Sequence, residues 1–473
     1  MTRRREQAAL GDQPLARGTT GARWGEHRYE LAPLRHLDAL ARLDPLEVAA
    51  RVLAQLSQSA RVKLAGVTSP PALDAAAVRA QFPSLGLGTA HFDGPGGSQV
   101  PASVAEAVAS TMTAGLGNRG STTEGERRAE AVVVEARRAV ADLLGGAPGG
   151  IIFGRSMTQL TYDLARTLAT RWQPGDEVVV TALDHDADIR PWVQTAAAVG
   201  ATVRWAEPDP DSLELPVDAV RAVLSERTRL VAVTGASNLV GTRPDLPAIA
   251  AAVHAVPGAL LFVDAVHLVP HAPVDLSATG ADMLACSPYK WFGPHLGVLA
   301  ADPALLETLH PAKLLPSSDA VPERFELGTL PYELLAGTTA AVDLIAGWAA
   351  TATGTRRARV LAGMAAVEAH EAHLFARLLA GLDSIGGVTL HGHADRRAPT
   401  ALLTVDGAAP QEVARALAAR GVNAPAGHFY ALELSRRAGL GDTGGVRAGL
   451  SAYTDEGDVD RLLAGVAAAH QEA

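Results

Sequence analysis

Short runs of apolar residues alternate along the chain with longer segments whose apolar positions recur at helical spacing. The runs are nearly uninterrupted, which is typical of parallel strands buried on both faces. Such strands joined by helices predict an α/β fold with a large, doubly wound, mostly parallel sheet. One short strand is predicted from Ile151, before a helix that runs to about residue 170, and others at 177–181, 230–234, 259–263 and 282–286.

The pattern changes near residue 335. Two long helical patterns cover 332–352 and 356–382, and shorter strand and helix patterns follow them. We predict a smaller C-terminal αβ domain with strands at 388–391, 401–405 and 446–451 and a helix at 410–420. The chain is therefore divided into an N-terminal extension (1–75), a large domain (76–335) and a small domain (336–473).

The N-terminal extension has its own pattern. Residues 2–23 are polar and rich in glycine and are predicted to be disordered. Leucines and alanines at helical spacing over 31–56 predict two short helices on either side of Pro45. This helical part is expected to pack on the body of the protein or on a partner subunit. The alternative is that it recruits another protein.

Composition and charge exclude several classes of protein. The net charge of -10 disfavours nucleic acid as a partner. The basic opening residues are not followed by an apolar segment, so no secretory signal is expected, and no apolar run approaches the roughly 18 residues of a membrane helix. A single cysteine excludes an intramolecular disulfide and fits a reducing cytoplasm.

Candidate chemistry concentrates in the segment 258–297. The apolar run 259–263 ends on Asp264, and the run 282–286 is followed by Lys290. Both side chains are expected at the carboxyl ends of strands, where open α/β sheets bind ligands. An aspartate opposite a pyridinium nitrogen and a Schiff-base lysine form the pairing that pyridoxal phosphate needs. From these residues alone, a buried ion pair beside a surface lysine remains the alternative.

A family resemblance adds to this reading. The segment VDAVHLVPHAPVDLSATGADMLACSPYKWFGP resembles the cofactor-lysine segment of the class V aminotransferase superfamily. The resemblance is to its cysteine desulfurase-like branch, which includes isopenicillin N epimerase-like enzymes, and extends from about Asp74 to about Leu463. It implies a fold type I transferase that binds pyridoxal 5'-phosphate and acts on an amino acid.

The resemblance implies a role for each residue around the cofactor ring. Lys290 would form the Schiff base and serve as general base, Asp264 would hold the ring nitrogen, and His185 would stack on the ring. His267 and Asn238 would contact the phenolic oxygen. We thus expect Lys290, Asp264 and His185 to be the catalytic residues.

The cofactor phosphate is expected at the start of a helix, where free backbone N–H groups favour anions. Ser156, Met157 and Thr158 lie at such a helix start. By resemblance, Ser287 also contacts the phosphate, and Tyr289 stands where desulfurases carry a phosphate-binding histidine. Gly328 and Thr329 match a segment that reaches the phosphate of the other subunit, which implies a homodimer with shared active sites.

Substrate contacts are implied in the C-terminal part. Arg447 matches an arginine that binds the substrate α-carboxylate, a role suited to a bidentate guanidinium. The segment with His428 and Tyr430 falls where desulfurases carry a mobile cysteine that takes up sulfur. Tyr430 replaces that cysteine, and Cys286, in an apolar strand, is expected to be a core residue.

Two other kinds of chemistry are not expected. Histidines lie among carboxylates at 184–188 and 391–395, but neither segment has a thiolate or two histidines at helical i,i+4 spacing, so no metal is predicted. Residues 287–290 spell the S-x-x-K motif of penicillin-binding proteins, yet a K-T-G partner is missing from the sequence. Acyl-enzyme chemistry is therefore discarded.

The sequence predicts an enzyme that acts on an amino acid without nucleic acid or membrane partners. The favoured reaction is a lyase reaction that cleaves a C–S or other β-substituent bond without a persulfide cysteine. An epimerase and an aminotransferase stay open, and a requirement for a keto acid would mark the aminotransferase. From another class, a regulatory module that binds the cofactor without catalysis also stays open, with the first 75 residues as its contact surface.

Overall fold

The computed structural model describes residues 72–349 and 352–472. The segments 2–23 and 31–56, predicted to be disordered and helical, lie outside the described residues. Among those described, no helix is both long enough and apolar enough to cross a membrane.

The largest sheet has seven strands and is almost entirely parallel. With strands numbered in chain order, β1 (Ala90–His91) precedes this sheet, which contains β2 (Ile151–Gly154), β3 (Glu177–Thr181), β4 (Thr202–Ala206), β5 (Thr228–Thr234), β6 (Leu260–Asp264), β7 (Met283–Cys286) and β8 (Gly297–Ala301). The spatial order is β2-β8-β7-β6-β5-β3-β4, and β8 alone runs antiparallel to its neighbours.

Helices cover both faces of this sheet, as the doubly wound prediction requires. Alternate residues of β6 point to opposite faces: Leu261 and Val263 join one apolar core, and Phe262 joins the other.

The described helices are α1 (Ala75–Arg79), α2 (Ala102–Met112), α3 (Glu124–Leu144), α4 (Met157–Ala169), α5 (Arg190–Val199), α6 (Val217–Arg221), α7 (Leu246–His254), α8 (Leu276–Thr279), α9 (Pro303–Glu307), α10 (Tyr332–Gly347), α11 (Arg356–Asp383), α12 (Pro410–Ala419), α13 (Leu432–Arg437) and α14 (Glu456–Gln471). Helices α4 and α5 pack on the Phe262 side, and α3, α7 and α10 pack on the other.

A smaller antiparallel sheet lies in the C-terminal part of the chain. It contains β9 (Val388–His391), β10 (Thr400–Val405), β12 (Ala426–Gly427) and β13 (Gly445–Gly449), in the order β12-β13-β10-β9. Strand β11 (Val422–Asn423) pairs instead with β1, in parallel. The α/β class with a large parallel and a smaller sheet is as predicted, while the domain boundaries near residues 75 and 335 stay a prediction.

The topology places the ends of several strands at one edge of the large sheet. Strands β3, β5, β6 and β7 are parallel, so their carboxyl ends lie at the same edge. Asp264 is the last residue of β6, and His185, Asn238 and Lys290 follow the ends of β3, β5 and β7. Strand β13 carries Arg447 to the same edge, where its side chain contacts the backbone of Asn238.

Candidate active site

Two adjoining cavities lie at this edge of the large sheet. The smaller has a volume of about 60 Å³, and the larger, which opens to solvent, about 630 Å³. Both are lined by Thr158, His185, Asn238, Tyr289 and Lys290; the smaller also by Met157, Asp264, His267 and Ser287; the larger also by Tyr430 and Arg447. The structure thus brings together most of the predicted site residues, from distant parts of the sequence.

Asp264 is the last residue of β6, and only 4% of it is exposed. Its Oδ1 accepts a 2.9 Å hydrogen bond from the backbone N–H of Val266. Burial raises the pKa of Asp264 to about 6, although this hydrogen bond and the charge of Lys290 favour the ionised form. A protonated ring nitrogen placed against Asp264 would favour the ionised form further.

Lys290 ends a short 3₁₀ turn directly after β7. Its ammonium group donates a hydrogen bond to the carbonyl of Pro95 and lies 5.3 Å from the centre of the Tyr289 ring. Burial, assisted by the charge of Arg447 and opposed by Asp264, lowers the pKa of Lys290 to about 7. A neutral amine is therefore accessible near neutral pH, as bond formation with a carbonyl requires.

His185 lies in the turn that follows β3. Its Nδ1 accepts a 3.0 Å hydrogen bond from the backbone N–H of Ala187, which fixes the ring orientation. Burial, with the charges of Lys290 and Arg447, lowers the pKa of His185 to about 4. The ring is therefore neutral at neutral pH, which suits stacking on another aromatic ring.

His267 and Asn238 line the smaller cavity, and each has a buried polar atom without a hydrogen-bond partner among the described residues. His267 is 2% exposed, and its Nε2 pairs with the Thr400 hydroxyl at 2.9 Å, while Nδ1 has no partner among the described residues. The Asn238 amide donates to the Phe429 carbonyl at 2.9 Å, and its Oδ1 likewise has no partner in that part of the chain. Buried polar atoms without partners are costly, so a ligand that pairs with them would stabilise the site.

The donor set fits pyridoxal phosphate. Asp264 offers a carboxylate for a ring nitrogen, and Lys290 offers an amine for a carbonyl. A neutral His267 that accepts from Thr400 carries its proton on Nδ1, and Asn238 has a second amide hydrogen. Both could therefore donate to a phenolic oxygen in the smaller cavity.

The start of α4 forms one wall of the same cavity. The Ser156 hydroxyl caps this helix by accepting a 3.1 Å hydrogen bond from the Gln159 N–H, while Met157 and Thr158 line the cavity itself. Strand β8 passes so close that a Cβ on Gly297 would lie 2.2 Å from the carbonyl carbon of Ser156. Free N–H groups at this helix start and the buried Ser287 side chain could hold a phosphate.

Gly328 and Thr329 do not line either cavity. Both are exposed on the surface of this chain, as is the neighbouring Leu327. Their contribution to the phosphate site of a second subunit stays a prediction.

Arg447 lies in β13 and is 2% exposed. Its Nη1 donates a 2.9 Å hydrogen bond to the carbonyl of Asn238. Burial, opposed by the charge of Asp93, lowers the pKa of Arg447 to about 9, so the guanidinium stays protonated at neutral pH. A buried positive charge at the wall of the larger cavity suits a carboxylate ligand.

The side chains of the loop 427–431 differ in whether they line the larger cavity. Tyr430 lines the larger cavity, is 67% exposed, and lies 5.4 Å from His185 between ring centres. The His428 ring turns back on its own loop, where Nδ1 accepts a 3.2 Å hydrogen bond from the Tyr430 N–H. Phe429, which the sequence did not single out, lines the cavity in its place.

Cys286, the only cysteine of the chain, is fully buried in β7. Burial, assisted by the charge of Asp264, raises the pKa of its thiol to about 12. The thiol therefore stays protonated and poorly nucleophilic at neutral pH.

Some residues at the site were missed because their sequence signals are weak. Tyr162, Arg190 and Gln194 form the outer wall of the larger cavity. They lie on α4 and α5 at ordinary helical positions, so only the tertiary structure shows that they face a cavity. The Arg190 guanidinium is neutralised by ion pairs with Asp186 and Glu433, each 2.6 Å long.

Two further carboxyl groups lie buried behind the site. The Thr181 hydroxyl donates to Asp184, and the Trp192 indole donates to Asp188 at 2.9 Å. Burial raises the pKa of Asp184 to about 8, and burial and the Asp184 charge raise the pKa of Asp188 well above its usual range. Within the described ranges, no group of three or more His, Cys, Asp or Glu side chains is arranged to hold a metal ion.

Comparisons with known proteins identify the family of this chain. A model of the family described as Aminotransferase class-V matches residues 90–462. The chain is 34% identical over 398 residues to the aminotransferase-like protein FGM3 of Gibberella zeae, covering 82% of this chain and 96% of that protein. It is 32% identical over 424 residues to the probable cysteine desulfurase 2 of Mycobacterium leprae, covering 83% and 96% respectively.

A solved structure resembles the whole described fold. The cysteine desulfurase CsdA of Escherichia coli superimposes with a TM-score of 0.75 and 26% sequence identity, covering 84% of this chain and 99% of that one. This likeness confirms the predicted fold type I architecture, with its large parallel sheet and smaller second sheet.

Proposed function

The chain belongs to the class V aminotransferase superfamily, in its cysteine desulfurase-like branch, and from this premise we propose a reaction for it. Enzymes of this family depend on pyridoxal phosphate. The proposed activity is that of a lyase that cleaves a C–S bond, or another bond to a β-substituent, in an amino acid. Sulfur does not pass through an enzyme persulfide.

The proposal that no enzyme persulfide forms rests on the placement of Tyr430 and Cys286. Tyr430 faces the larger cavity from the loop 427–431, and a phenol cannot accept a sulfane sulfur. Cys286 is buried, with its pKa raised to about 12, whereas a reactive cysteine is exposed and has a low pKa. Relatives named as cysteine desulfurases support C–S cleavage as the class of reaction.

Pyridoxal phosphate supplies a carbonyl that takes up the substrate amine and a ring that withdraws electrons from its Cα. The residues of this chain bind, orient and move protons around it. Arg447 binds the substrate carboxylate, so that the Cα–H bond is presented to Lys290. Lys290, whose lowered pKa makes the neutral amine available, removes the Cα proton as general base.

Asp264 holds the proton on the ring nitrogen, because its carboxylate ends β6 in the smaller cavity. His185 stacks as a neutral ring and adds no competing charge. Loss of the Cα proton and of the β-substituent, followed by addition of water, yields a 2-oxo acid, ammonia and the protonated leaving group.

Two other reactions fit the same residues. The similarity to FGM3, named as aminotransferase-like, favours an aminotransferase as the second candidate. Return of a proton to Cα from the opposite face would give an epimerase. The combination of Asp264, Lys290 and Arg447 around two adjoining cavities argues against a regulatory module without catalysis.

We also propose that the protein works as a homodimer in the cytoplasm. The homodimer is supported by Gly328 and Thr329, which are exposed and line neither cavity of their own chain. The cytoplasmic location is supported by the single cysteine.

A product assay tests the proposed reaction. The purified holoenzyme is incubated with amino acids that carry or lack a β-substituent, with and without a 2-oxo acid, and the products are identified by mass spectrometry. We expect a 2-oxo acid, ammonia and the leaving group from β-substituted amino acids alone, and none from Lys290→Ala. A strict need for the added 2-oxo acid would replace the lyase by an aminotransferase, and inversion at Cα without release would replace it by an epimerase.

A further inference from the structure

The phenyl ring of Phe429 covers one face of the Arg447 guanidinium. The guanidinium carbon lies 3.7 Å from the ring centre, the shortest such distance among the arginine–aromatic pairs of the described residues. Arg447 is 2% exposed, so this contact is largely removed from water. Guanidinium–aromatic attraction is strongest where water is excluded.

Two hydrogen bonds connect Arg447 and Phe429 through Asn238. Arg447 Nη1 donates to the Asn238 carbonyl at 2.9 Å, and the Asn238 side-chain amide donates to the Phe429 carbonyl at 2.9 Å. Gly96 lies on the Nη2 side, where an added Cβ would be 3.4 Å from that nitrogen. The guanidinium is thus held on one face and at Nη1, and Arg447 also lines the larger cavity.

The backbone that presents Phe429 is strained. Phe429 and Tyr430 have φ values of 50° and 61°, in the left-handed region that residues other than glycine rarely adopt. Such strain persists only where the surroundings compensate for it, and it concentrates at functional sites. Here the Asn238 amide holds the Phe429 carbonyl, and the Asp186 N–H holds the Tyr430 carbonyl at 2.7 Å.

We propose that Phe429 is a positioning residue for substrate binding: its ring fixes the guanidinium of Arg447 in the orientation that receives the substrate carboxylate. This inference rests on the proposed function, because it assigns carboxylate binding to Arg447. Without the ring, the guanidinium keeps its charge but gains rotational freedom, so the carboxylate is bound less well. Reactions that do not involve a carboxylate do not depend on this orientation.

Two small probes separate these effects. Aminooxyacetate and O-methylhydroxylamine both attack the cofactor carbonyl through the same aminooxy nitrogen, but only aminooxyacetate carries a carboxylate. The ratio of their second-order rate constants, followed by cofactor absorbance in the holoenzyme, measures carboxylate recognition. A change in general access or in cofactor reactivity alters both rates and cancels in the ratio.

For Phe429→Leu we expect the ratio to fall by roughly 5- to 30-fold; a change in access to the cavity, which Phe429 also lines, acts on both rates and cancels. Phe429→Tyr, which keeps an aromatic ring, should retain the wild-type ratio. Trp205→Ala is the matched control, because it removes an aromatic ring that stacks on Arg437 at 5.6 Å, outside the cavities. Its ratio should also match the wild type.

The outcomes distinguish a failure of this inference from a failure of the proposed function. If the ratio in Arg447→Ala equals that of the wild type, Arg447 does not bind the carboxylate, and the inference about Phe429 fails with it. A ratio that falls in Arg447→Ala but stays at the wild-type value in Phe429→Leu would overturn the role of Phe429 alone. Equal losses in Phe429→Leu and Phe429→Tyr would likewise reject the ring as the cause.

Discussion

The backbone N–H of Asp186 donates a 2.7 Å hydrogen bond to the backbone carbonyl of Tyr430. Because Asp186 follows His185 in the turn after β3, this bond holds the loop 427–431 beside the ring that is proposed to stack on the cofactor. The His185 and Tyr430 rings lie 5.4 Å apart at an angle of 34°. The residue predicted by resemblance to replace the sulfur-accepting cysteine is thus a tyrosine whose backbone is held beside His185.

We expect Cys286→Ser to retain most of its activity on the true substrate. The thiol is buried, and its raised pKa of about 12 leaves it protonated. Steady-state turnover and mass spectrometry of the intact protein after exposure to cysteine measure the effect. Loss of turnover with the cofactor still bound, together with a sulfur adduct on Cys286 of the wild type, would restore a persulfide mechanism.

Asp264→Asn should lower turnover by roughly 100- to 1,000-fold, the size of a lost electrostatic contact at a reacting centre. An amide cannot hold a proton on the ring nitrogen as a carboxylate does. The free energy of unfolding should change little, because the Val266 N–H can still donate to an amide oxygen at this position. Turnover near that of the wild type would rule out the proposed role of Asp264.

The pH dependence of cofactor uptake should report the lowered pKa of Lys290. Only the neutral amine attacks a carbonyl, so uptake by the apoprotein should speed up with pH and level off just above about 7. Replacing Arg447 by Leu removes a charge that lowers this pKa, so the midpoint should move to higher pH. Stopped-flow absorbance measures the rate. A rate that is still rising above about pH 9 would indicate an ordinary lysine.

The buried pair Asp184 and Asp188 should make folding stability depend on pH. In the described part of the chain, Asp184 Oδ1 and Asp188 Oδ2 have no hydrogen-bond partner, and a shared proton would satisfy both. A carboxyl whose pKa is raised by folding binds its proton more tightly when folded. Its contribution to stability is therefore lost as pH rises from about 4, the ordinary carboxyl value, towards about 8.

The double variant Asp184→Asn/Asp188→Asn keeps the possibility of a mutual hydrogen bond but cannot titrate. We expect it to lose less stability than the wild type between about pH 5 and pH 8, by on the order of 1–3 kcal/mol. Denaturant unfolding at several pH values measures the difference. Parallel curves for the two proteins would mean that this pair is already ionised in the folded state.

The parts of the fold set by local pattern were predictable from the sequence. The apolar runs that became β3 and β6 lie where predicted, because strands buried on both faces need continuous apolar residues. Strand β4 was missed because it lies at the sheet edge and is half exposed. Helix α10 was predicted to reach residue 352 but ends at Gly347, a residue that disfavours helix interiors.

The candidate site was predictable only in part, for a different reason. Asp264 and Lys290 follow apolar runs, so their place at strand ends could be read from neighbouring residues. Arg447 and His185 meet through tertiary folding, and only the family resemblance paired them with the site. The Phe429 stack on Arg447 depends on a left-handed backbone, which no local pattern indicates.

Covalent labelling tests the central claim, that the cavity beside Asp264 holds the cofactor on Lys290. The purified holoenzyme is reduced with borohydride and digested, and the peptide that carries the cofactor is identified by mass spectrometry. The chain has three lysines, Lys63, Lys290 and Lys313, so the assignment has few alternatives. We predict the label on Lys290 alone and its absence from a folded Lys290→Ala variant, whereas a label on Lys63 or Lys313 would contradict the account.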